Sequence, residues 1–143
     1  MKIALYSELA RKHIVEMRKE ISRAGLGSND LDMKSFRNML FKSDKKHHKS
    51  ILSSNDLYSM STLKDLLFHV QEHRFTIIQI QKCLSDLGLK FCGFEADSTI
   101  ISNFKLTNAE NDDLYNLNKW HAYEQKNPKT FGQMYQFWCQ KLS

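Results

Sequence analysis

The chain has 143 residues, of which 26% are charged and 41% are hydrophobic, with 21 Lys and Arg against 16 Asp and Glu. This length suffices for one domain with a hydrophobic core, and five Gly with one Pro exclude collagen-like and low-complexity chains. No apolar run approaches the roughly 18 residues of a membrane helix, and Glu8 follows the first strand too soon for a signal peptide. We therefore expect a cytoplasmic protein that does not enter a membrane.

The three cysteines, Cys83, Cys92 and Cys139, are an odd number and lie outside any C-x-x-C spacing. Such spacing suggests neither a disulfide framework nor a cysteine zinc site. We interpret them as free, buried thiols.

Positive charge is concentrated at the front of the chain. Residues 1–50 carry a net charge of +6 and residues 51–143 one of −1. The basic cluster between Lys42 and Lys49 has no interleaved aromatic residues, which favours a solvated loop and argues against nucleic acid as a partner.

The front of the chain predicts a strand followed by a helix. Residues 1–6 are apolar apart from Lys2, which is typical of a strand covered on both faces. Ser7 is the predicted N-cap of a helix that stops at Gly25.

Three further helices are predicted before the next strand. They begin at Asn29 or Asp30, at Ser61 and after Thr76; the helix from Ser61 runs to His73, and the last runs to Gly88. The first of them ends before the basic cluster. Its predicted core residues are Leu31, Phe36, Met39 and Leu40.

After Gly88 the spacing of hydrophobic residues changes from that of a helix to that of a strand. Residues 89–95 and 134–140 predict two strands. Between them, Thr107 and Glu110 have the spacing of a capping box, which predicts a helix that ends at Asn127-Pro128. The aromatic side chains in this half are interpreted as core: Phe91, Phe94, Trp120, Tyr123, Phe131, Tyr135, Phe137 and Trp138.

Four blocks of sequence carry a resemblance to a known family, the most specific being the stretch from Phe68 to Phe75. The blocks are Lys2–Arg11, Asp56–Ser59, Asp65–Thr76 and the group Trp120, Glu124, Asn127-Pro128 and Met134–Trp138. Together they resemble the C-terminal part of a bacterial group of class I S-adenosylmethionine-dependent methyltransferases, some of which are fused to tetratricopeptide repeats.

The resemblance implies an α+β fold. Its partial methyltransferase-like sheet has about three strands, which would be the fifth, sixth and seventh of the family. The seventh would be antiparallel and lie between the other two. We expect a single domain composed of a strand and helix (1–27), a helical substrate-side insertion (28–75), and a helix-strand-helix-strand segment (76–143).

The cofactor site of such enzymes needs a glycine-rich turn after the first strand, and this sequence contains no G-x-G. The resemblance therefore implies S-adenosylmethionine as cofactor of the intact family, with none bound by this chain alone. Met1 stands at the head of the first predicted strand, which favours a truncated or divided reading frame. The expected function is that of a substrate-recognition fragment related to methyltransferases and inactive as an isolated chain.

His69, Glu72 and His73 have the H-x-x-E-H spelling of inverted zincins, in which a helix aligns two His ligands. A zinc hydrolase is one alternative, but no third ligand can be named, so no metal is predicted. The same side chains are also candidates for a catalytic polar pocket. In the purely structural alternative they hydrogen-bond the start of the next helix.

The candidate substrate-binding residues are Tyr6, Tyr58, Asp65, Phe68 and Arg74. Tyr6 ends the first strand, where open α/β sheets bind ligands, whereas Tyr58 belongs equally well to a capping turn.

Two partner predictions follow from the strand order that the resemblance implies. The strand at residues 1–6 would be an apolar edge guarded by Lys2 alone, which favours a homodimer or a complementary N-terminal half. A non-catalytic protein-interaction module is the alternative function from another class.

Overall fold

The computed structural model describes residues 1–68 and 71–142. The chain divides into two compact units, one formed by Met1–Ala10 with His73–Ser143 and the other by Arg11–Glu72. The first, the sheet unit, contains all four strands, and the second, the helical unit, contains four helices of the described part. The predicted α+β class is confirmed.

The sheet unit is built on a mixed four-stranded sheet. Its strands are β1 (Lys2–Ser7), β2 (Arg74–Phe75), β3 (Leu89–Phe94) and β4 (Met134–Lys141), in the spatial order β2-β1-β4-β3. β4 is antiparallel to both β1 and β3, and β2 is parallel to β1. Three of these strands were predicted, and the antiparallel last strand lies between the other two as expected. The fourth, β2, was missed because two residues carry no detectable period.

Backbone pairing leaves part of β1 open. Met1 exchanges two hydrogen bonds with Cys139, at 2.8 and 2.9 Å, so alternate residues from Met1 onward bond to β4. The N–H and C=O groups of Lys2 and Ala4 consequently point away from β4. Since β2 pairs only with the last two residues of β1, no strand among the described residues covers Lys2 and Ala4 on that side.

Three helices complete the sheet unit: α5 (Ile77–Asp86), α6 (Ser98–Thr107) and α7 (Leu117–Lys126). Thr76 and Gln79 form a capping box at α5, which confirms the predicted start of that helix.

The helix predicted to open at Thr107 was wrong. Thr107 is the last residue of α6, and Glu110 precedes a 3₁₀ turn at Asn111–Tyr115. The cap of α7 is Asn116, whose side chain accepts hydrogen bonds from the Asn118 and Lys119 amides. The predicted end at Asn127 holds.

The core of the sheet unit lies between the sheet and these helices. Trp120 is fully buried, stacks on Phe104 with ring centroids 3.8 Å apart, and donates its indole N–H to the Leu114 carbonyl. The buried residues of this core are Ile77, Ile80, Leu84, Phe91, Phe104, Leu117, Trp120, Tyr135, Phe137 and Cys139. Trp138 was wrongly assigned to the core: it alternates with its buried neighbours and is 50% exposed. Cys139 is buried as predicted, but Cys83 is exposed.

The helical unit contains α1 (Lys12–Arg23), α2 (Asp30–Lys42), α3 (Lys46–Leu52) and α4 (Met60–Leu63). Its core is Ile14, Met17, Ile21, Met33, Phe36, Leu40, Ile51, Leu57, Leu63, Leu66 and Leu67.

Two helix starts in this part of the chain differ from the predictions. Ser7 is not the N-cap of α1, which begins after Arg11; the Ser7 hydroxyl instead accepts the Ala10 amide in a preceding turn. The basic cluster is not a solvated loop, because α3 runs through it and buries His48.

Asn29 caps α2 as predicted, but two of the four predicted core residues of this helix were wrong. Leu31 and Met39 are 81% and 39% exposed, while Met33 is buried. The sequence pattern placed the apolar stripe out of phase with the buried face.

The helix predicted from Ser61 to His73 is shorter than expected. α4 passes into a π-helical turn at Lys64–Phe68, and residues 71–73 are not helical. His69 lies outside the described residues. Every helix in residues 1–68 and 71–142 is too short or too polar to cross a lipid bilayer.

Candidate functional site

An open groove of about 510 Å³ lies at the carboxyl end of β3. Because β1 and β3 both run antiparallel to β4, their carboxyl ends lie at the same edge of the sheet. The groove is formed by the connection from β3 to α6, the connection from α7 to β4, and the start of β4. Its lining residues are Glu95, Ala96, Asp97, Ile100, Lys129, Thr130, Phe131, Gly132, Met134 and Gln136.

The charged side chains of the groove are two carboxylates, Glu95 and Asp97, and one ammonium, Lys129. Glu95 forms an ion pair with Lys2 at 2.8 Å, and the hydrogen bond from Lys2 lowers the pKa of this carboxyl. The groove therefore offers carboxyl oxygens as hydrogen-bond acceptors, a lining that suits an amine or hydroxyl group. None of these residues was predicted as a site, although Glu95 is the last residue of a predicted strand and directly follows the observed β3.

A buried polar network joins the end of β1 to the start of β4. The Ser7 hydroxyl donates to Glu124 at 3.0 Å and lies 3.1 Å from the Tyr135 hydroxyl, which itself lies 2.8 and 2.9 Å from the two Glu124 oxygens. All three residues are at most 1% exposed. The hydroxyls of Ser7 and Tyr135 thus satisfy the hydrogen-bonding capacity of this buried carboxyl group.

Burial controls the titration of this network. It raises the pKa of Glu124, and the hydrogen bonds from Tyr135 and Ser7 only partly oppose the rise. Burial and the neighbouring Glu124 carboxylate likewise raise the pKa of Tyr135. Without solvent access these groups cannot touch a substrate, so they fix the sheet edge on which the groove is built.

Glu72, a predicted catalytic candidate, belongs to a buried ion cluster. Arg11 binds both of its oxygens, at 2.8 and 2.6 Å, and Arg18 binds one at 3.0 Å and also donates to the Leu66 carbonyl. Burial raises the pKa of Glu72, but the hydrogen bonds and charges of the two guanidinium groups outweigh this effect and lower it.

This geometry corrects the interpretation of the H-x-x-E-H motif. Glu72 and His73 are not on a helix, and the Glu72 carboxylate is held by two guanidinium groups instead of being available to activate water. The structural alternative therefore fits Glu72 best, with arginines as its partners instead of the next helix. The zinc hydrolase stays a prediction that no described contact of Glu72 or His73 supports.

Two of the predicted substrate-binding residues come together in the sheet unit. Tyr6 and Arg74 are register partners on β1 and β2, at the edge where the parallel strands end. They stay candidates for substrate contact.

The other three predicted substrate-binding residues belong to the helical unit. Tyr58 is 69% exposed beside Phe41, with ring centroids 6.5 Å apart, and Asp65 is exposed on the π-helical turn. Phe68 packs edge-on against Phe36 at 6.1 Å, which makes it part of the core of that unit. Their role in substrate binding stays a prediction.

No family model and no curated protein matches the chain. The functional assignment therefore depends on the sequence resemblance and on the geometry described above.

Proposed function

We propose that this chain is the substrate-side part of an S-adenosylmethionine-dependent methyltransferase. The observation that supports it best is the strand arrangement: β1 and β3 are parallel, and the last strand, β4, inserts antiparallel between them. The resembled family has its fifth, seventh and sixth strands in this order and with these directions. A sequential meander of three strands would instead have placed its second strand in the middle.

The groove supports the same proposal. Ligands of open α/β sheets bind outside the carboxyl ends of the strands, which is where Glu95 and Asp97 lie. These carboxylates would orient a substrate amine or hydroxyl, so that its lone pair faces the methyl donor. Proximity of the two reactants then supplies much of the rate enhancement.

The open edge of β1 supplies the connection to the cofactor. In the family, the fourth strand pairs with the fifth on the side where Lys2 and Ala4 are open here. The glycine-rich turn that holds S-adenosylmethionine would come from residues outside these 143, in a sheet that continues from this edge. The short β2 pairs only with the last two residues of β1, so the backbone groups of Lys2 and Ala4 remain for such a strand to bind.

A non-catalytic interaction module is the second candidate. The same open edge can accept a strand from any partner or from a second copy of the chain, and the half-exposed Trp138 on the uncovered sheet face adds an apolar contact. In this candidate the assembled protein would bind no cofactor.

The two candidates separate in a cofactor titration of the native assembly. The chain is tagged after Leu142, recovered from its own cells with whatever polypeptide it binds, and titrated calorimetrically with S-adenosylhomocysteine, both as the assembly and alone. We expect one site per assembly with an affinity in the micromolar range, about −8 kcal/mol, and no heat of binding for the chain alone.

Ala4→Pro is the variant that blocks pairing at the open edge of β1. Proline lacks the N–H group that points away from β4, so the substitution removes no hydrogen bond between β1 and β4. It should abolish recovery of the cofactor-binding assembly. An assembly that forms but binds no S-adenosylhomocysteine would reject the methyltransferase and leave the interaction module.

A further inference from the structure

The helical unit contains a group of three side chains that do not belong to the groove or to the buried networks. Glu20 lies on α1, and His47 and His48 lie in the first turn of α3. One ligand atom from each of the three falls within 4.8 Å of the other two. We propose that Glu20, His47 and His48 bind one divalent transition-metal ion that links α1 to α3.

The separations between the ligand atoms are close to those of a metal site. The His47 Nε2 atom is 3.0 Å from one Glu20 oxygen, and the His48 Nε2 atom is 2.5 Å from the other. Ligand atoms around tetrahedral zinc, with bonds of about 2.0–2.2 Å, lie roughly 3.3–3.5 Å apart. The two nitrogen–oxygen separations are within about 1 Å of this spacing, so small side-chain movements would place an ion between the carboxylate and the two rings.

A hydrogen bond to Ser43 orients the His48 ring. The ring nitrogen of His48 that faces away from Glu20, Nδ1, lies 2.7 Å from the Ser43 hydroxyl. With a proton on Nδ1, the Nε2 lone pair is directed at the metal position. The Ser43 oxygen also accepts the Lys45 amide at 3.2 Å, which fixes its own position.

Burial and donor type define the kind of ion. The His48 side chain is fully buried, whereas those of Glu20 and His47 are 23% and 28% exposed, so an ion can enter from solvent and keep a water ligand. Two imidazoles and one carboxylate are typical of Zn²⁺, Fe²⁺ or Co²⁺ sites with an open position, whereas Mg²⁺ and Ca²⁺ prefer all-oxygen ligands.

Lys45 also binds this carboxylate, at 2.8 Å from the Glu20 oxygen that His47 contacts. Its side chain is 58% exposed and can rotate into water, or stay on the oxygen that the metal does not use. The alternative to a metal site is a purely structural ion network of Glu20 with Lys45 and the two histidines. A metal titration distinguishes the two.

The test is a titration of the untagged chain with Co²⁺, followed by the visible d–d absorption of the ion, and then displacement by Zn²⁺. We expect one Co²⁺ per chain, a tetrahedral or five-coordinate spectrum, and no thiolate charge-transfer band of the kind that the exposed Cys83 would produce. Bound Zn²⁺ should also raise the melting temperature, and a chelator should reverse the rise.

Variants identify the ligands. His47→Ala and Glu20→Gln should weaken binding at least about 100-fold, and Ser43→Ala about tenfold, since second-shell changes cost 10–100-fold. His73→Ala, which removes an exposed imidazole outside the cluster, should leave the affinity unchanged. Circular dichroism confirms that each variant is folded.

The proposal is overturned if the folded wild-type chain shows no saturable Co²⁺ band. It is equally overturned if His47→Ala and Glu20→Gln bind the ion as tightly as the wild type does. Either result would leave the structural ion network as the role of the cluster.

Discussion

Glu72→Gln tests whether the carboxyl of the H-x-x-E-H motif is a structural ion-pair partner. The substitution keeps the shape of the side chain but removes the charge that faces Arg11 and Arg18, whose side chains are 4% and 8% exposed. Removal of one partner from a buried ion pair typically costs 3–5 kcal/mol, because the other charge is left uncompensated. The amide oxygen can still accept one guanidinium hydrogen bond, so we expect a loss of about 3 kcal/mol in the free energy of unfolding.

The assay is urea unfolding at neutral pH, followed by circular dichroism. The matched control is Glu16→Gln, which removes the same charge from an exposed pair with Lys19 and should change nothing measurable. The pKa of Glu72 is lowered from 4.5, so its stabilisation is complete above that value and is lost as the pH falls through the lowered pKa. The difference in free energy of unfolding between wild type and Glu72→Gln should therefore disappear at acidic pH. A cost below about 1 kcal/mol at neutral pH would refute this role, since a buried pair costs several times more to break.

Three further predictions concern the sheet unit. The pKa of Glu124 is raised from 4.5, so the folded state holds this proton more tightly than the unfolded state does. The free energy of unfolding of the wild type should therefore fall, relative to that of Glu124→Gln, as the pH rises from 4.5 through the raised pKa. A difference that does not change with pH would contradict this prediction. Thr76→Ala should lower the free energy of unfolding in urea by about 1 kcal/mol, and Thr107→Ala should lower it clearly less, because of these two residues only Thr76 caps a helix. Equal losses would indicate that Thr107 also caps a helix. Wild type should form a homodimer whose share, measured by light scattering, rises with concentration and falls in Ala4→Pro. A wild-type chain that stays monomeric would contradict the open-edge prediction.

The variants that best test the open edge could not be chosen without the structure. The sequence alone suggests adding charge at Ile3 or Leu5, but these side chains pack against the core of the sheet unit. Lysine at either position would destabilise the fold and leave the role of the edge undecided. Ala4 is the suitable position because its backbone faces the open side.

Local sequence patterns predicted the strands with a clear hydrophobic pattern and the helix with a recognisable cap. β1 and β4 were found from their apolar or alternating patterns, and α5 from the capping box at Thr76. α6 was missed and Thr107 was misassigned, because a Thr and a Glu three residues apart satisfy the pattern of a cap without forming one. Which candidate cap forms depends on competing caps such as Asn116.

Local sequence patterns could not predict the contacts that form the sites, because these contacts join residues far apart in the sequence. Glu72 meets its guanidinium partners across 61 and 54 residues of sequence, and His48 meets Glu20 across 28. A single sequence carries no signal for such pairs. The adjacent histidines consequently resembled a solvated basic loop, and Glu72 resembled a catalytic carboxyl.

The proposed function requires β1 to be an interior strand of a larger sheet that carries the methyl donor. The most direct measurement is hydrogen–deuterium exchange at the Ala4 amide, in the dilute monomeric chain and in the assembly that binds S-adenosylhomocysteine. We predict fast exchange in the monomer, since no described strand accepts this N–H, and strong protection in the assembly. The same exchange rate in both states would show that the edge stays open and would contradict the account.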